Sequence, residues 1–304
     1  LLFGLKRGIY MPNKIWLALV ILALSSVFSP AAFACDKNGK SGIAPENTIK
    51  VSRWAIFNSG INEEKFNAII KNIFDIYTPI VESKGGLLVV HNHWADDTVN
   101  ANANVWGKRW VINMYGGYAR HPLTTEDGFA LVLCHELGHF LGGAPRKDRP
   151  NWASSEGESD YFGAMKCLRR VFDREDNIAA VAKMSVDPKA TRECETIYKS
   201  QSDVALCQRV AMAGKSVGAV LGLIHGNPGV SFNTPDPSTV AKSEEEHPVP
   251  QCRLDTYFQG SLCDKSYNQD TDPQDPKIGA CTVREGYKAG PRPLCWYKPT
   301  SAEL

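Results

Sequence analysis

Apolar residues recur at three- and four-residue spacing through Phe66, Ile69, Ile70, Ile73, Phe74 and Tyr77. That period predicts an amphipathic helix, which Pro79 should end. Before it, Val51 to Phe57 reads as a short apolar strand. After it, Gly85-Gly86 opens a run from Leu87 to His91, and Trp106 to Tyr115 alternates as a further strand. Thr124 with Asp127 resembles a capping box, and an apolar helix is expected from there to Phe140, before Gly142-Gly143 and Pro145. The chain then reads as mostly helical up to Gly226. Within that stretch Gly214, Gly218 and Gly222 recur every four residues, the spacing of a helix packed closely against a neighbour. The predicted class is α+β, with a mixed sheet in the first half and helices in the second.

Domain boundaries follow from composition. Met11 precedes a basic residue, the apolar run Ile15 to Val27 and the small-residue pattern Ala32-Phe33-Ala34, which together read as a secretory leader over residues 1–34. Residues 1–10 start with Leu, so Met11 is a candidate true start. The apolar run is shorter than the roughly 20 residues of a membrane-spanning helix, and no later stretch reads as long enough. Residues 35–226 are expected to form the main domain, 227–250 a connector rich in Pro and Glu, and 251–304 a cysteine-rich C-terminal extension. The leader carries three basic and no acidic residues, leaving 31 basic against 33 acidic in the remainder. That balance speaks against nucleic acid as a partner.

Nine cysteines in a chain with a leader point to disulfides and an oxidising, secreted or periplasmic location. No pair has C-x-x-C spacing. Cys194 and Cys207 suit a bridge across a helix–turn–helix, Cys134 and Cys167 are a second possible pair, and Cys252, Cys263, Cys281 and Cys295 should staple the tail. Cys35, at the first position after the leader, is a candidate lipid-anchor site.

The chemistry concentrates in His135-Glu136-Leu137-Gly138-His139. On a helix the two histidines stand one turn apart on one face, where their imidazoles can converge on Zn²⁺ while Glu136 flanks the open coordination position. Leu133, Leu137 and Phe140 occupy the opposite face, as for a helix with one side on the core and the other lining a cleft. A catalytic zinc usually has a third protein ligand. Glu156 and Asp160, 17 residues on and one turn apart, can share that work: one binds metal and the other accepts the second ring N–H of a ligand histidine. Glu158 points roughly 200° away from Glu156 on the same helix. His91 and His93 share a strand face without an evident third ligand, and His121 and His225 read as loop residues.

His135-Glu136-x-x-His139 followed by Glu156-x-x-x-Asp160 resembles the gluzincin metallopeptidases. With His247-Pro248-x-x-x-x-Arg253 added, it is most similar to the minigluzincin family of CAAX prenyl proteases, HtpX-like peptidases and their soluble periplasmic relatives. The second motif here carries Ser159 where that family usually has Ala. The resemblance implies a zincin-like catalytic domain in which His135, His139 and Glu156 bind Zn²⁺ and Asp160 supports a ligand. It further implies that Glu136 is the general base and that His247 and Arg253 face the scissile carbonyl, with Tyr257 or His225 next in line. The expected activity is a secreted or periplasmic zinc endopeptidase acting on a peptide or protein. Two other classes are carried beside it: a cell-envelope binding module whose zinc site is structural or decayed, with Glu158 or His247 as a fourth ligand, and a zinc hydrolase of a non-peptide amide. The Trp106 to Tyr115 strand is the candidate edge for pairing with an extended substrate.

Overall fold

In the computed structural model, which describes Ala32–Phe33 and residues 41–304, a small mixed sheet packs against a helical body. Strands β2 (Leu87–His93) and β4 (Arg109–Tyr115) run parallel, and β3 (Ala101–Trp106) pairs antiparallel with β4 on its other side. A two-residue strand β1 (Ala32–Phe33) pairs antiparallel with β3, Ala32 opposite Val105 and Phe33 opposite Asn104. The sheet order is therefore β1-β3-β4-β2. The single strand expected from Trp106 to Tyr115 is corrected. Gly107, at φ 61°, turns a hairpin there, so Arg109–Tyr115 is central and Ala101–Trp106 flanks it, its outer side paired with β1 only at Asn104 and Val105.

The helices are α1 (Glu63–Ser83), α2 (Gly116–Arg120), α3 (Glu126–Leu141), α4 (Glu156–Phe162), α5 (Leu168–Phe172), α6 (Asn177–Val181), α7 (Pro188–Ile197), α8 (Gln201–Ile224) and α9 (Pro250–Leu262). Helix α1 starts where the Asn62 side chain accepts the Lys65 N–H, and it buries Phe66, Ile70, Ile73, Tyr77 and Val81. Pro79 lies inside α1 and does not end it, because burial of Val81 and Tyr77 holds the last turn against a weak local signal. The cap of α3 is Thr125, whose side chain accepts from the Gly128 N–H; Thr124 instead donates to the Tyr118 carbonyl. Asp127 is taken up by an ion pair with Arg209 of α8. Val51 to Phe57 is a turn, not a strand, with Trp54, Ile56 and Phe57 exposed.

Helix α8 is long and apolar enough to cross a membrane, which the sequence reading did not allow for any later stretch. Most of it is buried inside this body, and its two basic residues Arg209 and Lys215 pair with Asp127, Glu175 and Asp187. Its glycines are packing contacts: a Cβ on Gly214 would lie 2.5 Å from Tyr257 Cβ, and one on Gly218 3.2 Å from Leu254 Cβ. Those partners belong to α9, so the segments expected as a domain, a connector and an extension fall within one compact unit. The leader falls outside the described residues apart from Ala32–Phe33, as does Cys35.

Four disulfides join Cys134 to Cys167, Cys194 to Cys207, Cys252 to Cys295 and Cys263 to Cys281, and they indicate an oxidising compartment. The first closes 33 residues and ties α3, beside His135, to a π-helical turn at Gly163–Cys167. By chain entropy, replacing both of these cysteines with Ala should remove about 3–4 kcal/mol of stability, read from chemical denaturation of the oxidised proteins. A change below about 1 kcal/mol would show that packing alone holds the two helices together.

Candidate metal centre

Helix α3 is buried on every side from Gly128 to Leu141, the histidine face included, so the expected open cleft is not seen. His135, Glu136, His139, Glu156 and Asp160 all have 0% exposure. Helix α4 meets α3 closely because Gly138 carries no side chain: a Cβ there would sit 2.8 Å from the Ser159 backbone. Ser155 caps α4 and sets Glu156 and Asp160 on the side facing the histidines.

His135 places Nδ1 2.7 Å from Asp160 Oδ1, and His139 places Nδ1 3.0 Å from the Ser154 carbonyl and 3.0 Å from Ser159 Oγ. An acceptor on Nδ1 fixes the proton there and leaves Nε2 as the lone-pair nitrogen of each ring. Ser159 thus has a contact that an Ala could not make. The Glu156 carboxylate lies 3.3 Å from His135 Nε2 and 3.8 Å from His139 Nε2. Ligands at about 2.0–2.1 Å from a tetrahedral zinc are about 3.3–3.4 Å apart, close to the 3.3 Å and 3.8 Å by which the Glu156 oxygens stand from the two Nε2 atoms. His135 Nε2 has no hydrogen-bond partner within the protein. Lone pairs on Nε2 and a carboxylate that close repel unless a cation sits between them. The donor set therefore fits a metal.

Charge reinforces that picture. Burial would lower the His135 pKa, but the Asp160 and Glu156 carboxylates raise it to about 9, so a proton takes the cation's place in the metal-free protein. Burial lowers His139 to about 3, which keeps it neutral. Glu156 is held well below the usual carboxylate range against the cost of burial, chiefly by His247, Lys147 and His139. Glu136 goes the other way, and burial pushes it up to about 8. Both of its oxygens are buried without a hydrogen-bond partner.

A grouping of His135, Glu136 and His139 has ligand atoms within 4.8 Å of one another. The Glu156 carboxylate stands within 4 Å of both imidazoles beside this grouping. A second grouping of Asp236, Cys252 and Cys295 offers no thiolate, because its two cysteines are bonded to each other. Glu158 is turned away and held by Arg292, with Nη2 2.9 Å from Oε1, so it is not a fourth ligand. His93 bonds Asn113 and stacks on Tyr115, and among the described residues no third ligand joins it and His91. His121 is buried at the end of α2, and His225 caps α8.

Arg253 does not approach the centre as an unpaired cation. Its Nε and Nη2 grip both Asp160 oxygens at 2.7 Å, and Tyr257, one turn on along α9, donates to Asp160 Oδ1. In this arrangement Arg253 positions Asp160, which orients His135. His247 does reach the centre, with Nε2 3.4 Å from Glu156 Oε2 and 2.6 Å from the Gly42 carbonyl. Lys147, whose Nζ is 3.0 Å from Glu156 Oε1, gave no motif signal. Neither did Tyr118, whose buried hydroxyl lacks a hydrogen-bond partner and whose pKa burial raises, with Arg253, Asp160 and Glu136 among the charges acting on it.

Comparison of the chain with protein-family models, with curated proteins and with solved structures finds no match.

Proposed function

We propose that this protein is a zinc-dependent peptidase of zincin-like fold, directed by its leader to a secreted or periplasmic location. The observation that carries the reading is the convergence of His135 Nε2, His139 Nε2 and the Glu156 carboxylate beside a buried, unpaired Glu136. A zinc ion bound there supplies Lewis-acid activation of water and of a carbonyl. With zinc bound beside it, the Glu136 carboxylate would take a proton from the attacking water and pass it to the leaving nitrogen. Asp160 holds His135 in one tautomer, Arg253 and Tyr257 hold Asp160, and the Ser154 carbonyl and Ser159 hydroxyl do the same for His139. His247 is the donor next to the site where a substrate oxygen would become negative.

A second reading has its own support. Lys147 already places a cation on Glu156, and the centre is buried, as in a decayed site kept within a binding module. Metal analysis separates the two. The protein purified without chelator should hold one zinc per chain, and 1,10-phenanthroline should abolish its cleavage of casein, with activity returning on zinc addition. Less than about 0.1 zinc per chain after incubation with a small excess of the ion would remove the peptidase reading.

A further inference from the structure

His247 and Arg253 both meet a peptide carbonyl, and both carbonyls belong to this chain. Gly42 O accepts from His247 Nε2 at 2.6 Å, and Ile43 O accepts from Arg253 Nη1. The Ile43 N–H donates to Ala101 O on strand β3 at 2.9 Å. Asn100 clamps the next residue twice, its Oδ1 3.1 Å from Ala44 N and its Nδ2 3.0 Å from Ala44 O. The segment bends at this point, with Gly42 N donating to Ala44 O. The same outer side of β3 pairs with Ala32 and Phe33 further along, at Val105 and Asn104.

Main-chain recognition of this kind is how a sheet edge binds a peptide ligand. The two long side chains grip carbonyls and not side chains, and His247 bridges Gly42 to the metal ligand Glu156. Ile43 and Ala44 have 0% exposure, so the segment fills the space beside the centre. Its fit is selective. A Cβ on Gly42 would fall 1.6 Å from Ala101 O, whereas the Ile43 side chain joins the core cluster.

We propose that Ser41–Ala44 is a resident occupant of the substrate groove, so that the folded chain is self-occluded and the peptides able to displace it carry Gly followed by a branched aliphatic residue. This rests on the peptidase reading of the same centre. An external peptide reaches only the fraction of molecules whose segment has left, and its apparent affinity falls by that fraction.

The test uses a fluorescein-labelled peptide Lys-Ser-Gly-Ile-Ala-Pro and the full chain without metal. Gly42→Ala, which puts a methyl against Ala101 O, should bind the peptide at least about 10-fold more tightly than wild type. Ile43→Ala should do so more weakly, and a peptide with Ala for its Gly should lose the gain. In wild type, hydrogen exchange at the Ile43 and Ala44 amides should speed up as the peptide is titrated in, a readout that needs no substitution to fold. Unchanged or weaker binding in both variants at wild-type melting temperature, or no change in exchange at these two amides, overturns the proposal. Occupancy is read without zinc, so the two failures are distinguishable. Tight peptide binding with no cleavage after zinc loading sinks the peptidase reading alone, and casein cleavage without the gain in peptide binding sinks the occlusion alone.

Discussion

Glu136→Gln should lower kcat for peptide hydrolysis by roughly 10³–10⁴-fold while the protein still binds one zinc per chain. Gln keeps the shape of the side chain but cannot take a proton from water. None of the three proposed ligands is altered, and Glu136 makes no hydrogen bond whose loss would disturb them. The substitution also removes a buried carboxyl whose charged form burial penalises, so the melting temperature should stay level or rise. Activity and zinc content measured on one preparation check both halves of the expectation. More than about a tenth of wild-type activity with zinc bound would show that Glu136 is not the base.

Arg253→Ala should act on stability and on the metal before it acts on catalysis. Arg253 is 2% exposed and its partner Asp160 is 0% exposed, so truncation leaves a buried carboxylate without its main counter-charge. Breaking a buried pair in this way costs about 3–5 kcal/mol. For a domain of this size that is a melting-temperature drop on the order of 10 °C. Loss of the orientation that Asp160 gives His135 should weaken zinc binding by about 10–100-fold. Arg253→Met combined with Asp160→Asn should recover much of the stability, because no unpaired charge then remains.

Burial raises the Asp160 pKa, but Arg253 and His135 bring it below the usual carboxylate range. A depressed folded pKa contributes stability that is present above the unfolded value of about 3.9 and is lost as pH falls through the folded value. Without Arg253 this carboxyl loses its largest depressing influence and burial counts for more, so acid unfolding should begin at higher pH than in wild type. A variant with normal melting, normal zinc affinity and only a reduced kcat would instead return Arg253 to the role of carbonyl donor.

Local patterns were legible where one short stretch holds the whole answer. His135, Glu136 and His139 lie within five residues, and helical spacing puts the histidines on one face. Glu156 and Asp160 sit one turn apart, and the structure sets Glu156 near both Nε2 atoms and Asp160 on a ring Nδ1. Cys194 and Cys207 were close enough in sequence to pair on paper. Turns were less legible: Gly107 splits what alternation alone reads as one strand, and Pro79 reads as a stop that tertiary burial overrides.

The sequence by itself determined the residue types a metal needs, their helical phase and an α+β body whose cysteines suit disulfides, because each follows from bond geometry along a few turns of chain. Only the tertiary structure decided which carbonyl each long side chain meets. Arg253 lies 93 residues from Asp160 and 210 from Ile43, and His247 lies 205 from Gly42. Contacts across such separations have no period along the chain. They come from the packing of α9 against α8 through Gly214 and Gly218, and from the turn at Gly107 that sets Ala101 of β3, and not Arg109–Tyr115, against Ile43.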